Sequence, residues 1–321
     1  MISRTMLVAV IVLLVTVAGG SVPAAMPVTL TIFGAGTLAS PIRQIDAAFE
    51  KQHPDVVVHA QFGGSVMMAR KITDLHQHAD VLAVADYNVI PKYLFGGEAR
   101  AANADWYAGF AQNATTFVYA DKSKFAKEIS RANWYDILAR PGVQIGRSNP
   151  DTDPSGYQTL QMLALAEKQY RLPGLAAKVL ANAPLANMRD TETELLAALQ
   201  LGQIDYLAIY RSDALQHHLK YLDLPAAIDL SDPADAASYA TAVAHTKNGE
   251  VPGKPIVYAV TIPSGADQPD LAATFIAFLL SQVGQKTMAG NGFGTVNPAD
   301  AVNVDKMPES LRALVKPRPG N

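Results

Sequence analysis

Three stretches of the chain end an apolar run in small or hydroxyl residues and then open a helix. They are Gly34-Ala35-Gly36-Thr37, Gly63-Gly64-Ser65, and the longer Ser148-Asn149-Pro150-Asp151-Thr152-Asp153-Pro154-Ser155-Gly156. A helix start carries unpaired backbone N–H groups and the positive end of the helix dipole, so each turn could take an anion. Thr37 and Ser65 add hydroxyl donors that carry no countercharge. Each also has a plainer reading as a helix N-cap, and Asp153 before Pro154 reads locally as a cap followed by a first-turn proline. Three such turns without a basic residue among them point to a small oxyanion. Other chemistry is weakly supported. His76 with His78, and His217 with His218, lack the spacing of the metalloprotease motif, and no Gly-x-Ser-x-Gly nucleophile turn is present.

The elements that would position these turns alternate. Val28 to Phe33 is β-branched and precedes the first turn; Ile42, Ile45, Ala48 and Phe49 then fall at helical spacing. Val56 to Phe62 reads as a strand and Met67 to Leu75 as a helix. Ala79 to Ala85 is apolar throughout, as a strand covered on both faces should be. Tyr157 to Tyr170 and Glu192 to Leu201 read as helices, the second with Thr191 and Glu194 spaced as a capping box. Ile204 to Tyr210 and Ile256 to Ile262 read as strands. Strand and helix in regular alternation predict α/β architecture. Strands at Thr115–Tyr119 and Val257–Thr261 are expected to cross between two lobes, giving lobe one as 25–116 plus 261–321, and lobe two as 117–260. Two crossings make a hinge, and the gap between the lobes makes a ligand cleft.

Composition narrows the classes. Arg4, the apolar run Met6 to Val17 and the small residues up to Ala24 read as an export signal over 1–24. The chain has no cysteine, which excludes disulfides, thiolate metal sites, cysteine nucleophiles and a lipidated cysteine anchor. A freely soluble periplasmic protein is expected. With 26 Lys+Arg against 29 Asp+Glu, the net charge is −3, and no basic stripe interleaved with aromatics marks a nucleic-acid surface. Trp106, Tyr107, Trp134 and Tyr135 are expected to pack the lobes, and the acid-rich run Asp223 to Asp235 to form a solvated loop.

Taken in order, several motifs share a pattern. They include Phe33-Gly34-Ala35-Gly36-Thr37-Leu38, Gly64-Ser65-Val66, Ala79-Asp80-Val81-Leu82-Ala83, Ala85-Asp86-Tyr87 and Asn133-Trp134-Tyr135. Asp153-Pro154-Ser155-Gly156-Tyr157 and Gly249-Glu250-Val251-Pro252-Gly253-Lys254-Pro255 continue it. Together they resemble the tungstate/molybdate-binding proteins of ABC importers, in the branch best known from archaea, from about Leu30 to Pro298. The resemblance implies a type II two-lobed periplasmic-binding-protein fold that clamps an oxyanion between its lobes and acts with an ABC permease. It implies no cofactor and no catalysis, and a monomer is expected. Carried onto this chain, the ligand contacts are Gly36, Thr37, Ser65, Asp153, Pro154, Ser155, Glu192 and Tyr210. Thr37 stands where serine is usual and Ser155 where cysteine is frequent. The stretch from Tyr157 to Glu192 is shorter than in archaeal members, which leaves Glu194 as an alternative to Glu192.

In that family Asp153 and Glu192 would bond the metal of the oxyanion. A carboxylate facing a dianion is repulsive, by about 1 kcal/mol at 4 Å in water and more when desolvated. Mo(VI) and W(VI) can expand from four oxygens to six, whereas sulfur in sulfate cannot, so the pair would act as a filter. A receptor for another tetrahedral oxyanion such as sulfate, or a secreted α/β hydrolase using the acidic residues, remains the alternative reading of the same residues.

Overall fold

The computed structural model describes residues 26–97 and 101–318. The expected export signal lies outside them. Among the described residues, fourteen strands run in chain order. They are β1 (Val28–Ala35), β2 (Val56–Gly63), β3 (Val81–Val84), β4 (Tyr107–Gln112), β5 (Thr115–Tyr119), β6 (Ile145–Ser148) and β7 (Met188–Arg189). The rest are β8 (Tyr206–Tyr210), β9 (Lys220–Tyr221), β10 (Val243–Thr246), β11 (Gly249–Pro252), β12 (Val257–Thr261), β13 (Gly294–Val302) and β14 (Val315–Pro317). They form a sheet ordered β14-β13-β4-β12-β3-β1-β2, a second ordered β7-β6-β8-β5-β9, and the separate hairpin β10-β11.

Both main sheets are covered on two faces, and the side-chain alternation shows how. In β1, Leu30 and Ile32 join a core with Ile42 and Phe49 of the helix Ala39–Gln52. Phe33 points the other way, onto Val66, Met68 and Ala69 of the helix Ser65–Thr73. β3, with all four residues buried, splits likewise between the two cores, which is why it reads as an unbroken apolar run. In β8, Tyr206, Ala208 and Tyr210 face the helix Pro154–Tyr170 side, while Leu207 and Ile209 pack with Leu195 and Leu199. Trp134 is fully buried against Phe117, the lobe-packing role expected of it. The mixed α/β architecture of two sheets is therefore the expected one.

The crossings fall a few residues away from the expected ones. β5 lies wholly in the five-stranded sheet, paired with β8 and β9, and β12 lies wholly in the seven-stranded sheet, antiparallel to β3 and β4. The chain thus changes sheet at Asn113-Ala114 and returns between β11 and β12, because β5 and β12 each satisfy both edges of their backbone within one sheet. The two crossings touch, with Asn113 N–H donating to the Ile256 carbonyl at 3.3 Å.

Candidate functional site

Each of the three turns lies where the sheets meet. The first forms a short 3-10 turn over Gly36–Leu38, so Thr37 sits inside it rather than capping it. The second is capped by Gly64, with Ser65 as the first residue of its helix. The third places Asp153 at the N-cap of Pro154–Tyr170 in extended backbone, but its carboxylate makes no cap bond. Pro154 begins that helix and Ser155 follows, both buried. All three sequence expectations of a capping side chain therefore give way to a different use of the same groups.

These turns close on one another. A Cβ on Gly64 would lie 2.4 Å from the Thr152 carbonyl and 3.1 Å from that of Asp190, both in the other lobe. A Cβ on Gly36 would meet the Thr193 hydroxyl at 3.3 Å. Met67 N–H also reaches the Thr152 carbonyl, at 3.3 Å. Glycine is required at position 64 because two backbones approach there too closely for any side chain.

Between the closed turns sits a buried acidic cluster. Asp153 and Glu192 are 4% and 2% exposed, and their carboxyls lie beside each other. Burial pushes the Glu192 carboxyl well up, and the charge of Asp153 beside it pushes further; burial also raises Asp153. Burial thus disfavours charge on both carboxyls. Asp213, 1% exposed, is a third member, raised well up by burial first and by Asp153 second. No lysine or arginine is among the leading influences on any of the three. Asp153 Oδ2, Asp213 Oδ2 and the Ser148 hydroxyl are buried without a hydrogen-bond partner in the protein. Unpaired buried polar groups are costly, which makes this cluster a candidate binding site.

Neutral donors surround the cluster. Thr37 shares a 2.8 Å hydrogen bond with the Tyr258 hydroxyl, and Asn113 Nδ2 donates to the same oxygen at 3.2 Å and to Ser212 at 2.8 Å. Tyr210, at the end of β8, is fully buried and donates to Gln158 at 2.7 Å. The Tyr210 and Tyr258 hydroxyls are both pushed well up by burial, so they remain protonated donors. Ser65 is fully buried, and its hydroxyl accepts from Ala85 N–H at 2.9 Å, leaving its own proton to give.

The structure thus gathers the turns of Gly36, Thr37 and Ser65 against those of Asp153, Pro154, Ser155 and Glu192, with Tyr210 behind them. Glu194 does not join the cluster; its carboxylate accepts from the Thr191 hydroxyl at 3.2 Å. Sequence reasoning missed Asp213, Tyr258 and Asn113. Asp213 looks like an ordinary acidic residue in the first turn of the helix Arg211–Gln216, and only the fold turns it inward. No group of histidines and acidic residues among the described residues has the arrangement of a metal-ion site. An interlobe cavity of about 170 Å³, bordered by Val66, Asp86, Tyr93, Tyr157 and Asn248, lies beside the carboxyl pair rather than around it.

Two α/β lobes joined by paired crossings and shut over an enclosed polar site define a solute-binding protein. The chain belongs to the bacterial extracellular solute-binding protein family, whose model matches residues 30–294. It is 40% identical over 293 residues to a solute-binding protein of Petrotoga mobilis, covering 89% of this chain and 90% of that one. It is 34% identical over 318 residues to the molybdate/tungstate-binding protein WtpA of Thermococcus kodakarensis, covering 90% and 88%. Among solved structures, the periplasmic molybdate-binding protein of Azotobacter vinelandii superposes with a TM-score of 0.61 at 16% identity, over 83% of this chain and 99% of that one. The sulfate-binding protein SubI of Mycobacterium tuberculosis H37Rv does so at 0.58 and 16%, over 84% and 87%. These two confirm the fold.

Proposed function

We propose that the chain is the exported receptor of an ABC importer for tungstate or molybdate, holding the oxyanion between its lobes and delivering it to the permease. The observation that carries this reading is the buried pair Asp153 and Glu192, set among neutral donors with no basic group among the leading influences on it. Hydrogen-bond donors alone suit any tetrahedral oxyanion. Two carboxylates at the same point repel sulfate and phosphate, and become favourable only when they bond the central atom. A hexavalent metal accepts those two oxygens beyond its own four. The WtpA similarity supports the same ligand class. Thr37, Ser65 and the N–H groups of the glycine turns would hold the oxyanion's own oxygens, with Tyr210 and Asp213 as surrounding groups.

Closure supplies the full shell, so binding and conformational signal arise together. No covalent step is required of the receptor. Calorimetric titration with tungstate, molybdate and sulfate tests the reading. One equivalent of tungstate or molybdate should bind at least about 100-fold more tightly than sulfate, a gap near 2.7 kcal/mol. Equal affinity for sulfate would remove the coordination argument and leave a general oxyanion receptor.

A further inference from the structure

Three residues that the oxyanion site does not use meet in one buried cluster. Asp86 follows β3 in lobe one and is 2% exposed. Its Oδ2 accepts from the Tyr157 hydroxyl at 2.6 Å. Its Oδ1 accepts from Asn88 N–H at 2.8 Å and lies 3.0 Å from Lys254 Nζ. Tyr157 belongs to lobe two and stands one helical turn beyond Asp153. Lys254 lies on the return crossing between β11 and β12, where Gly253 still bonds lobe two through Ala242 and Val257 already belongs to the large sheet. The Lys254 ammonium also sits 4.9 Å over the Tyr87 ring, whose own N–H donates to Val257.

We propose that Tyr157, Asp86 and Lys254 form an interlobe latch that sets how long the closed receptor holds its ligand, without touching that ligand. The three contacts divide by mobility. Asn88 is in Asp86's own lobe and Lys254 is on the hinge, so both stay with the carboxylate when the lobes part. Tyr157 is carried away with the helix that bears Asp153. Opening therefore breaks one hydrogen bond to a buried, charged acceptor while leaving that acceptor paired, so the latch can release without stranding a charge. Closure remakes it in the same movement that brings Asp153 to the oxyanion. Tyr157 and Asp86 are positioning residues acting through lobe closure. Burial holds the Tyr157 hydroxyl well above its ordinary range, which keeps it a donor.

The test uses Tyr157→Phe, which removes one oxygen and keeps the ring. Because the chain has no cysteine, Leu75→Cys and Leu185→Cys, both at well exposed positions in opposite lobes, can carry a dye pair that reports lobe separation. Tungstate serves as the probe, and this choice alone rests on the proposed function. Tyr157→Phe should raise the tungstate dissociation rate about 10-fold, leave the association rate within about two-fold, and lower the closed fraction of the ligand-free protein. Asp86→Asn should move the same quantities in the same direction. An unchanged dissociation rate, or a lowered melting temperature with unchanged lobe separation, would overturn the latch and leave Tyr157 a packing residue. If tungstate fails to bind wild type, the ligand reading falls, whereas the dye distances in ligand-free protein still decide the latch.

Discussion

At the scale of single residues, the site is built against electrostatic expectation. Asp153 and Glu192 sit buried beside each other, and Asp213 adds a third carboxyl. Their cost is borne by the ligand-free closed form, so neutralising either should relieve it. Asp153→Asn and Glu192→Gln keep the volume of each side chain. Each is expected to weaken tungstate binding by about 100-fold or more, while the ligand-free melting temperature stays level or rises. Paired calorimetric and thermal-melting measurements check this, and wild-type affinity in both variants would refute coordination by these groups. Residue type and order placed Thr37, Ser65 and Asp153 at helix starts, where hydroxyls and acids are common, so the ligand role given to them came from the family resemblance. Tyr258 and Asn113 were not legible, since an aromatic in a strand and an amide after one are ordinary packing residues until the fold sets them together.

Within the elements, the helix Ala39–Gln52 carries a second buried acid for which the site has no use. Asp46 is largely buried, one of its oxygens lacks a partner, and Glu50 follows it by one turn. Burial first, and Glu50 second, push its carboxyl up to about 7, against the opposing pull of Arg43. The folded chain then binds a proton that the unfolded chain has released, so this position favours folding most below the usual aspartate range. That contribution declines as pH rises toward 7. Asp46→Asn should therefore raise stability more at pH 8 than at pH 5, by about 2 kcal/mol, read from denaturant melts at the two values. Periodicity revealed the helices and the buried strands because one covered face, or two, imposes a regular apolar pattern. It failed for β13, where Asn297, Pro298 and Asp300 interrupt any alternation and only pairing with β4 and β14 makes a strand. The Thr191–Glu194 spacing marked a helix start correctly. The Thr191 hydroxyl, however, meets the Glu194 side chain rather than a backbone N–H.

For the whole molecule, the decisive feature is how closely the lobes meet. Gly64 faces the Thr152 carbonyl with no room for a methyl group. Gly64→Ala should leave the ligand-free fold intact, because the obstruction arises only between lobes, yet prevent full closure. Small-angle scattering should show wild type contracting on tungstate addition and the variant failing to do so. The two-lobed plan was readable from alternating elements, but the crossings were misplaced by a few residues, since sequence does not say in which ladder a strand finds its partner. Enclosure on this scale also governs unloading. A guest held between the lobes would be shut off from competitors in the surrounding fluid, and its dwell time would follow the waiting time for the halves to swing apart. A membrane partner that pries them open would empty the receptor without having to outbid a single one of its bonds.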